Sequence, residues 1–188
     1  MTEAQYFTAL QNLLASNICQ SGSAAGGHYV IQEPGQIEFH LNTRGLSSHK
    51  AIRLEKLRGG DWPCFKLPHD YAHKRCDSII VSWNRTADAP RYLLIELKSA
   101  NVGTARKQLG ASLAFCHFVH RMVCVGQSDQ PHVGFAAVTV FNLPFALKTT
   151  STPSIPKWTS PELQSDCKHM RYDRHHGSLP VAAVLATA

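Results

Sequence analysis

Four residues of this 188-residue chain combine types and spacing that suit chemistry: Asp77, Glu96, Lys98 and Gln108. Glu96 and Lys98 close the apolar run Arg91-Tyr-Leu-Leu-Ile-Glu-Leu-Lys98. In a strand, residues two apart share a face, so both project together while Leu97 enters the opposite layer. A carboxylate and an ammonium side by side at the end of a buried strand are a costly way to gain stability, which points to function. A second carboxylate converging there, from Asp77, gives an oxygen pair that suits Mg²⁺. Such a metal acidifies a bound water and braces a phosphate against in-line attack. Lys98 is placed to position or deprotonate that water and to offset developing charge. Gln108 falls one turn into the next helix, where it would orient the water or the phosphate. That helix's N-terminus favours a phosphate, and Arg106 and Lys107 add charge beside it.

These residues need particular elements to bring them together. Asp77–Trp83 is β-rich, 84–90 is turn material, and Arg91–Lys98 is a second strand with an unbroken apolar core, Tyr92–Ile95, suited to burial on both faces. The hairpin folds the two strands antiparallel. For Asp77 to share the face of Glu96 and Lys98, paired residue numbers must sum to 173 or 175, while 174 puts it on the wrong face. An amphipathic helix is expected over Thr104–Val123, with Ala105, Leu109, Leu113 and Cys116 facing inward. A third apolar strand, Gly134–Phe141, completes a parallel crossover.

Elsewhere the signals are more local. Thr2 and Gln5 fit a capping box, and Tyr6, Leu10, Leu13 and Leu14 recur at helical spacing, so a first helix should run to about Ser16. Ile37, Phe39 and Leu41 alternate with polar residues as in a strand, followed by the turn 42–45. Ala51–Leu57 reads as another strand. Pro161–Met170 reads as a short helix, and the apolar stretch Leu179–Ala188 as a packed tail or edge strand. No internal repeat occurs, and a single domain over residues 1–188 is expected.

Composition narrows the classes. With 44% apolar and 17% charged residues, a mostly disordered chain is excluded. The 19 Lys and Arg against 13 Asp and Glu give a formal charge of +6. The excess lies entirely in Lys50–Lys107, where 12 basic residues meet 6 acidic ones. That concentration suggests a polyanion partner, the bland alternative being a solvated basic surface. No run nears the roughly 18 apolar residues of a membrane span, and no secretory signal opens the chain, so a cytoplasmic protein without membrane partners is expected. The six cysteines form no CxxC pair and read as reduced, mostly buried thiols. No G-x-x-x-x-G-K-[ST] motif is present, which excludes a nucleotide-driven motor of that type.

Taken together, RCDSIIV, YLLIELKS and ARKQL resemble the core motif of the PD-(D/E)xK, or restriction-endonuclease-like, nuclease superfamily, over about residues 50–141. The resemblance implies an α/β fold, three-layer α/β/α with a central mixed sheet and an αβββαβ core. It also implies a Mg²⁺-dependent nuclease, with Mn²⁺ able to substitute, in which Asp77 and Glu96 hold the metal and Lys98 and Gln108 act beside them. DNA is the expected substrate ahead of RNA, with Lys74, Arg75, Arg106 and Lys107 on the nucleic-acid backbone. The implied setting is a homodimer or a component of a bacterial defence, restriction or repair system. One departure is plain: Cys76, not proline, precedes Asp77. The alternative function is a non-catalytic nucleic-acid-binding or scaffold subunit that keeps the fold.

Other residues carry weaker signals. Pro68-His69-Asp70 offers Asp70 as an alternative metal acid, and Glu3, the acid of the first helix, is a minor candidate for the same metal. His69 and His73 read as phosphate contacts or surface. Cys167, His169, His175 and His176 match no tight zinc spacing and read as structural or exposed. Trp62 and Trp83 read as buried or packing residues rather than stacking platforms for bases.

Overall fold

The computed structural model describes residues 1–21, 27–31, 38–46, 48–54, 75–98, 104–141, 167–173 and 177–187. Its chain order is α1 (Glu3–Leu13), β1 (Cys19–Ser21), β2 (His28–Ile31), β3 (Phe39–Asn42), β4 (His49–Ile52), β5 (Ser78–Asn84), β6 (Ala89–Lys98), α2 (Ala105–Val123), β7 (Gly134–Phe141), β8 (Cys167–Asp173), β9 (Leu179–Pro180) and α3 (Val181–Thr187). The architecture is α/β.

Six strands form one mixed sheet in the order β1-β4-β5-β6-β7-β8. From β1 to β6 each neighbouring pair is antiparallel, whereas β6, β7 and β8 run parallel. Helix α2 makes the crossover from β6 to β7, as the strand–helix–strand spacing required. At the centre of the sheet, Ile79–Val81 and Tyr92–Ile95 are buried on both faces, which accounts for their lack of alternation.

One face of this sheet carries Ile79, Val81, Leu94 and Ala137 against α1 and α2. The inward stripe of α2, Ala105, Leu109, Leu113 and Cys116, is fully buried, each leucine contributing about 1.5–3 kcal/mol. Helix α1 opens with the expected capping box: Thr2 Oγ1 accepts from Gln5 N, and Gln5 Oε1 accepts from Thr2 N. It ends at Leu13, earlier than the periodicity suggested, with Leu14 as C-cap; Leu13 is exposed and packs into no core.

A buried polar chain ties the two helices to β6. The Tyr6 hydroxyl lies 2.6 Å from that of Tyr92 and 3.0 Å from His120 Nδ1. Burial raises the pKa of both tyrosines and lowers that of His120, so all three stay neutral near pH 7.

The opposite face differs from the expected helical layer. Ala51, Ile80, Leu93, Ile95 and Val138 pack there against a small second sheet, β2-β3-β9, and against Val181, Val184 and Leu185 of α3. The C-terminal stretch is thus a packed tail, as its apolar run implied, but most of it is helix. At the 42–45 turn, Arg44 N donates to Asn42 Oδ1 and Gly45 takes φ 86°. That backbone suits glycine.

Two further expectations need correction. Strand β4 stops at Ile52, short of Leu57, and 55–57 lie outside the described residues. Of the helix expected over Pro161–Met170, 161–166 lie outside the described residues and 167–170 form a strand: β8 pairs with β7 all along its length, and its buried positions Cys167, Met170 and Tyr172 serve both faces of the sheet. The cysteines Cys19, Cys76, Cys116, Cys124 and Cys167 are buried and form no disulfide. Among the described residues, no helix is long and apolar enough to cross a membrane.

Candidate active site

The hairpin sets the geometry of the site. Ser78 pairs with Ile95 and Ile79 with Leu94, so paired numbers sum to 173, one of the two registers that serve Asp77. One step beyond the last pair, Asp77 stands opposite Glu96. Its carboxylate turns onto the end of β6: Oδ2 accepts from the Leu97 amide at 2.6 Å. That amide lies between Glu96 and Lys98, so Asp77 is tied to the pair by the backbone itself.

Glu96 and Lys98 share the face covered by α2, with Leu97 in the opposite core. Lys98 Nζ lies 2.5 Å from Glu96 Oε1, and the Glu96 side chain is only 1% exposed. From α2, Gln108 Oε1 accepts from Lys98 Nζ at 2.6 Å, while Gln108 Nε2 donates to the Arg75 carbonyl at 3.1 Å. The glutamine therefore holds the lysine with one end and the approach to Asp77 with the other. All four candidate catalytic residues meet at one end of β6.

Cys76 explains the missing proline. Its backbone N–H donates to Ser112 Oγ of α2 at 2.8 Å, a bond proline cannot make. Its thiol donates to the Ser78 carbonyl and is fully buried, which drives its pKa far up and keeps it inert. Residue 76 thus anchors the backbone entering Asp77 to the helix that carries Gln108.

The basic candidates divide. Arg106 and Lys107 are exposed on the first turn of α2, beside Gln108. Arg75 uses its carbonyl on Gln108, and its guanidinium reaches back to the Leu54 carbonyl. Lys74 lies outside the described residues, as do Trp62, His69, Asp70, His73, His175 and His176. Glu3 belongs elsewhere: its helix meets β6 at Tyr92 through Tyr6, four residues from Glu96, or about 13 Å along a strand. The N-terminus before it influences Cys124, at the far end of α2 from Gln108. Trp83 is buried and donates to Asp88 Oδ1.

The sequence reading missed how far this face extends. Glu96 pairs with Thr139 on β7, and Thr139 pairs with Arg171 on β8. Asp77, Glu96, Thr139 and Arg171 consequently form one transverse row across four strands. His169 Nε2 lies 2.9 Å from the fully buried Thr139 hydroxyl. Burial, then the charges of Arg171 and Arg106, lower the pKa of His169 and keep it neutral. Only the parallel pairing of β8, hidden in a segment that read as helix, could have revealed the row.

Asp77 and Glu96 offer hard carboxylate oxygens. Among the described residues no cluster of three or more His, Cys, Asp or Glu side chains is placed to hold a metal. Carboxylate oxygens are the ligand type that Mg²⁺ takes. A separate cavity of about 750 Å³ lies at the other end of β6 and β7, around Arg91, His117, His132 and Gly134, and includes none of these residues. No protein-family model, curated protein or solved structure matches the chain.

Proposed function

We propose that this protein is a metal-dependent nuclease of the PD-(D/E)xK type, acting on the phosphodiester bonds of nucleic acid, DNA ahead of RNA. The observation that carries the reading is the convergence of Asp77, Glu96, Lys98 and Gln108 at the end of a buried strand. Antiparallel β4-β5-β6, then α2, then parallel β7 is compatible with the αβββαβ core that the resemblance implies, with β1, β2 and β3 standing between α1 and β4 as additions to it. The site also lies at the carboxyl ends of parallel strands, where open α/β sheets place ligands.

Asp77 and Glu96 would hold Mg²⁺, which supplies an acidified water and charge neutralisation at the phosphate when bound. Lys98 presents its ammonium between Glu96 and Gln108, where it positions the attacking water and offsets charge developing on the phosphate. Gln108 fixes the direction of that ammonium. Arg106 and Lys107 hold the nucleic-acid backbone at the helix N-terminus, which makes binding salt-sensitive. The test is cleavage of plasmid, linear duplex, single-stranded DNA and RNA at low salt, with Mg²⁺, with Mn²⁺ and with chelator. Metal-dependent cutting that Lys98→Ala abolishes while binding survives supports the reading. Binding without cutting in the unaltered protein favours the non-catalytic subunit instead.

A further inference from the structure

The transverse row places a cation at a set distance from the two carboxylates. Arg171 lies two strands from Glu96, with Thr139 between them, and neighbouring strands are about 4.8 Å apart. The α2 face of β8 carries Cys167, His169 and Arg171, whereas Lys168, Met170 and Tyr172 take the other face. Arg171 is exposed, yet it is not loose. Its guanidinium lies over the Phe141 ring, 5.8 Å from the centroid, so stacking restricts its rotamers before any ligand arrives.

The groups between Glu96 and Arg171 are uncharged and bonded to each other. Thr139 is fully buried and bonded to His169, so the position of the row between Glu96 and Arg171 carries no charge. Arg171 stands on β8 and Arg106 on the first turn of α2, the helix that covers this face, and the charge of each acts on His169. The planar fork of Arg171 suits two oxygens of one phosphate.

We propose that Arg171, together with Arg106, binds the backbone phosphate adjacent to the one cut at Asp77 and Glu96, and so sets the direction in which the strand crosses the sheet. The inference rests on the nuclease reading and deepens it, assigning a second phosphate of the same strand to a named contact. Arg171 is a binding residue here. A mononucleotide would fill the carboxylate end of the row and leave Arg171 unused.

Binding and turnover separate the possibilities. A labelled duplex is titrated at several salt concentrations without divalent metal, and cleavage is measured with Mg²⁺, for the unaltered protein, Arg171→Ala, Arg171→Lys and Lys168→Ala. Arg171→Ala should weaken binding about tenfold and lower the salt slope by about one phosphate contact. It should raise KM more than it lowers kcat. Arg171→Lys should restore the slope but not the full affinity, because the fork is lost. Lys168→Ala removes the same charge from the opposite face of β8 and should leave both quantities unchanged. If Arg171→Ala keeps the original slope and KM, or if Lys168→Ala weakens binding as much, the inference is overturned. Where the duplex is not bound, the same titration is run with labelled single-stranded DNA and RNA, and an unaltered protein that neither binds nor cuts any of them defeats the nuclease reading itself.

Discussion

Gln108 accepts a hydrogen bond from Lys98 at 2.6 Å and simultaneously donates to the Arg75 carbonyl. A side chain from α2 thereby fixes the ammonium at the end of β6 and braces the segment that delivers Asp77. The glutamine links the lysine to the segment that precedes Asp77.

Gln108→Ala should cost activity without costing the fold. Loss of a group that orients a catalytic partner typically lowers activity by about 10–100-fold. Steady-state kinetics should show the loss in kcat, with thermal melting nearly unchanged.

The ion pair of Glu96 and Lys98 should prove a poor source of stability. Lys98→Met alone strands a buried carboxylate and is expected to cost about 3–5 kcal/mol. The double variant Glu96→Gln, Lys98→Met should recover most of that loss in denaturant unfolding, although both variants should be inactive.

Ser112 accepts the Cys76 amide that a proline would lack. Ser112→Ala leaves that buried N–H without its acceptor, a loss of about 1–3 kcal/mol. Chemical denaturation should report it, and activity should fall as Asp77 loses its anchored approach.

Legibility in the sequence followed physical locality. The capping box of Thr2 and Gln5, the stripe of α2 and the antiparallel hairpin depend on neighbours in the chain, and each was visible. The odd register was narrowed to two values by the need to bring Asp77 onto the face of Glu96, and the structure adopts 173. What stayed hidden was set by distant partners. Cys167–Asp173 pairs with β7 across 25 residues of intervening chain, and its polar residues alternate too irregularly to mark a strand alone. The small second sheet likewise arises from β2, β3 and β9, whose last strand is two residues long. Thr139 and Arg171 join the row of Asp77 and Glu96 only through that pairing.

Acidification should destabilise the fold from about the ordinary histidine pKa downward. Burial lowers the pKa of His49, His120 and His169 below 6.5. Below that pH the unfolded chain takes up protons that the folded chain resists, so stability falls as pH drops and is restored above it. Melting temperatures measured across this range should decline on the acid side, and less steeply in His120→Gln.

The most direct test of the central claim is duplex cleavage by the unaltered protein, Asp77→Asn and Lys98→Ala, with Mg²⁺ and with chelator, each variant first shown to be folded. Metal-dependent cutting in the unaltered protein, absent from both variants while duplex binding persists, is the expected result. Cutting that survives in either folded variant would contradict the placement of the site. No cutting by the unaltered protein on any of the four substrates, despite duplex binding, would contradict the enzyme.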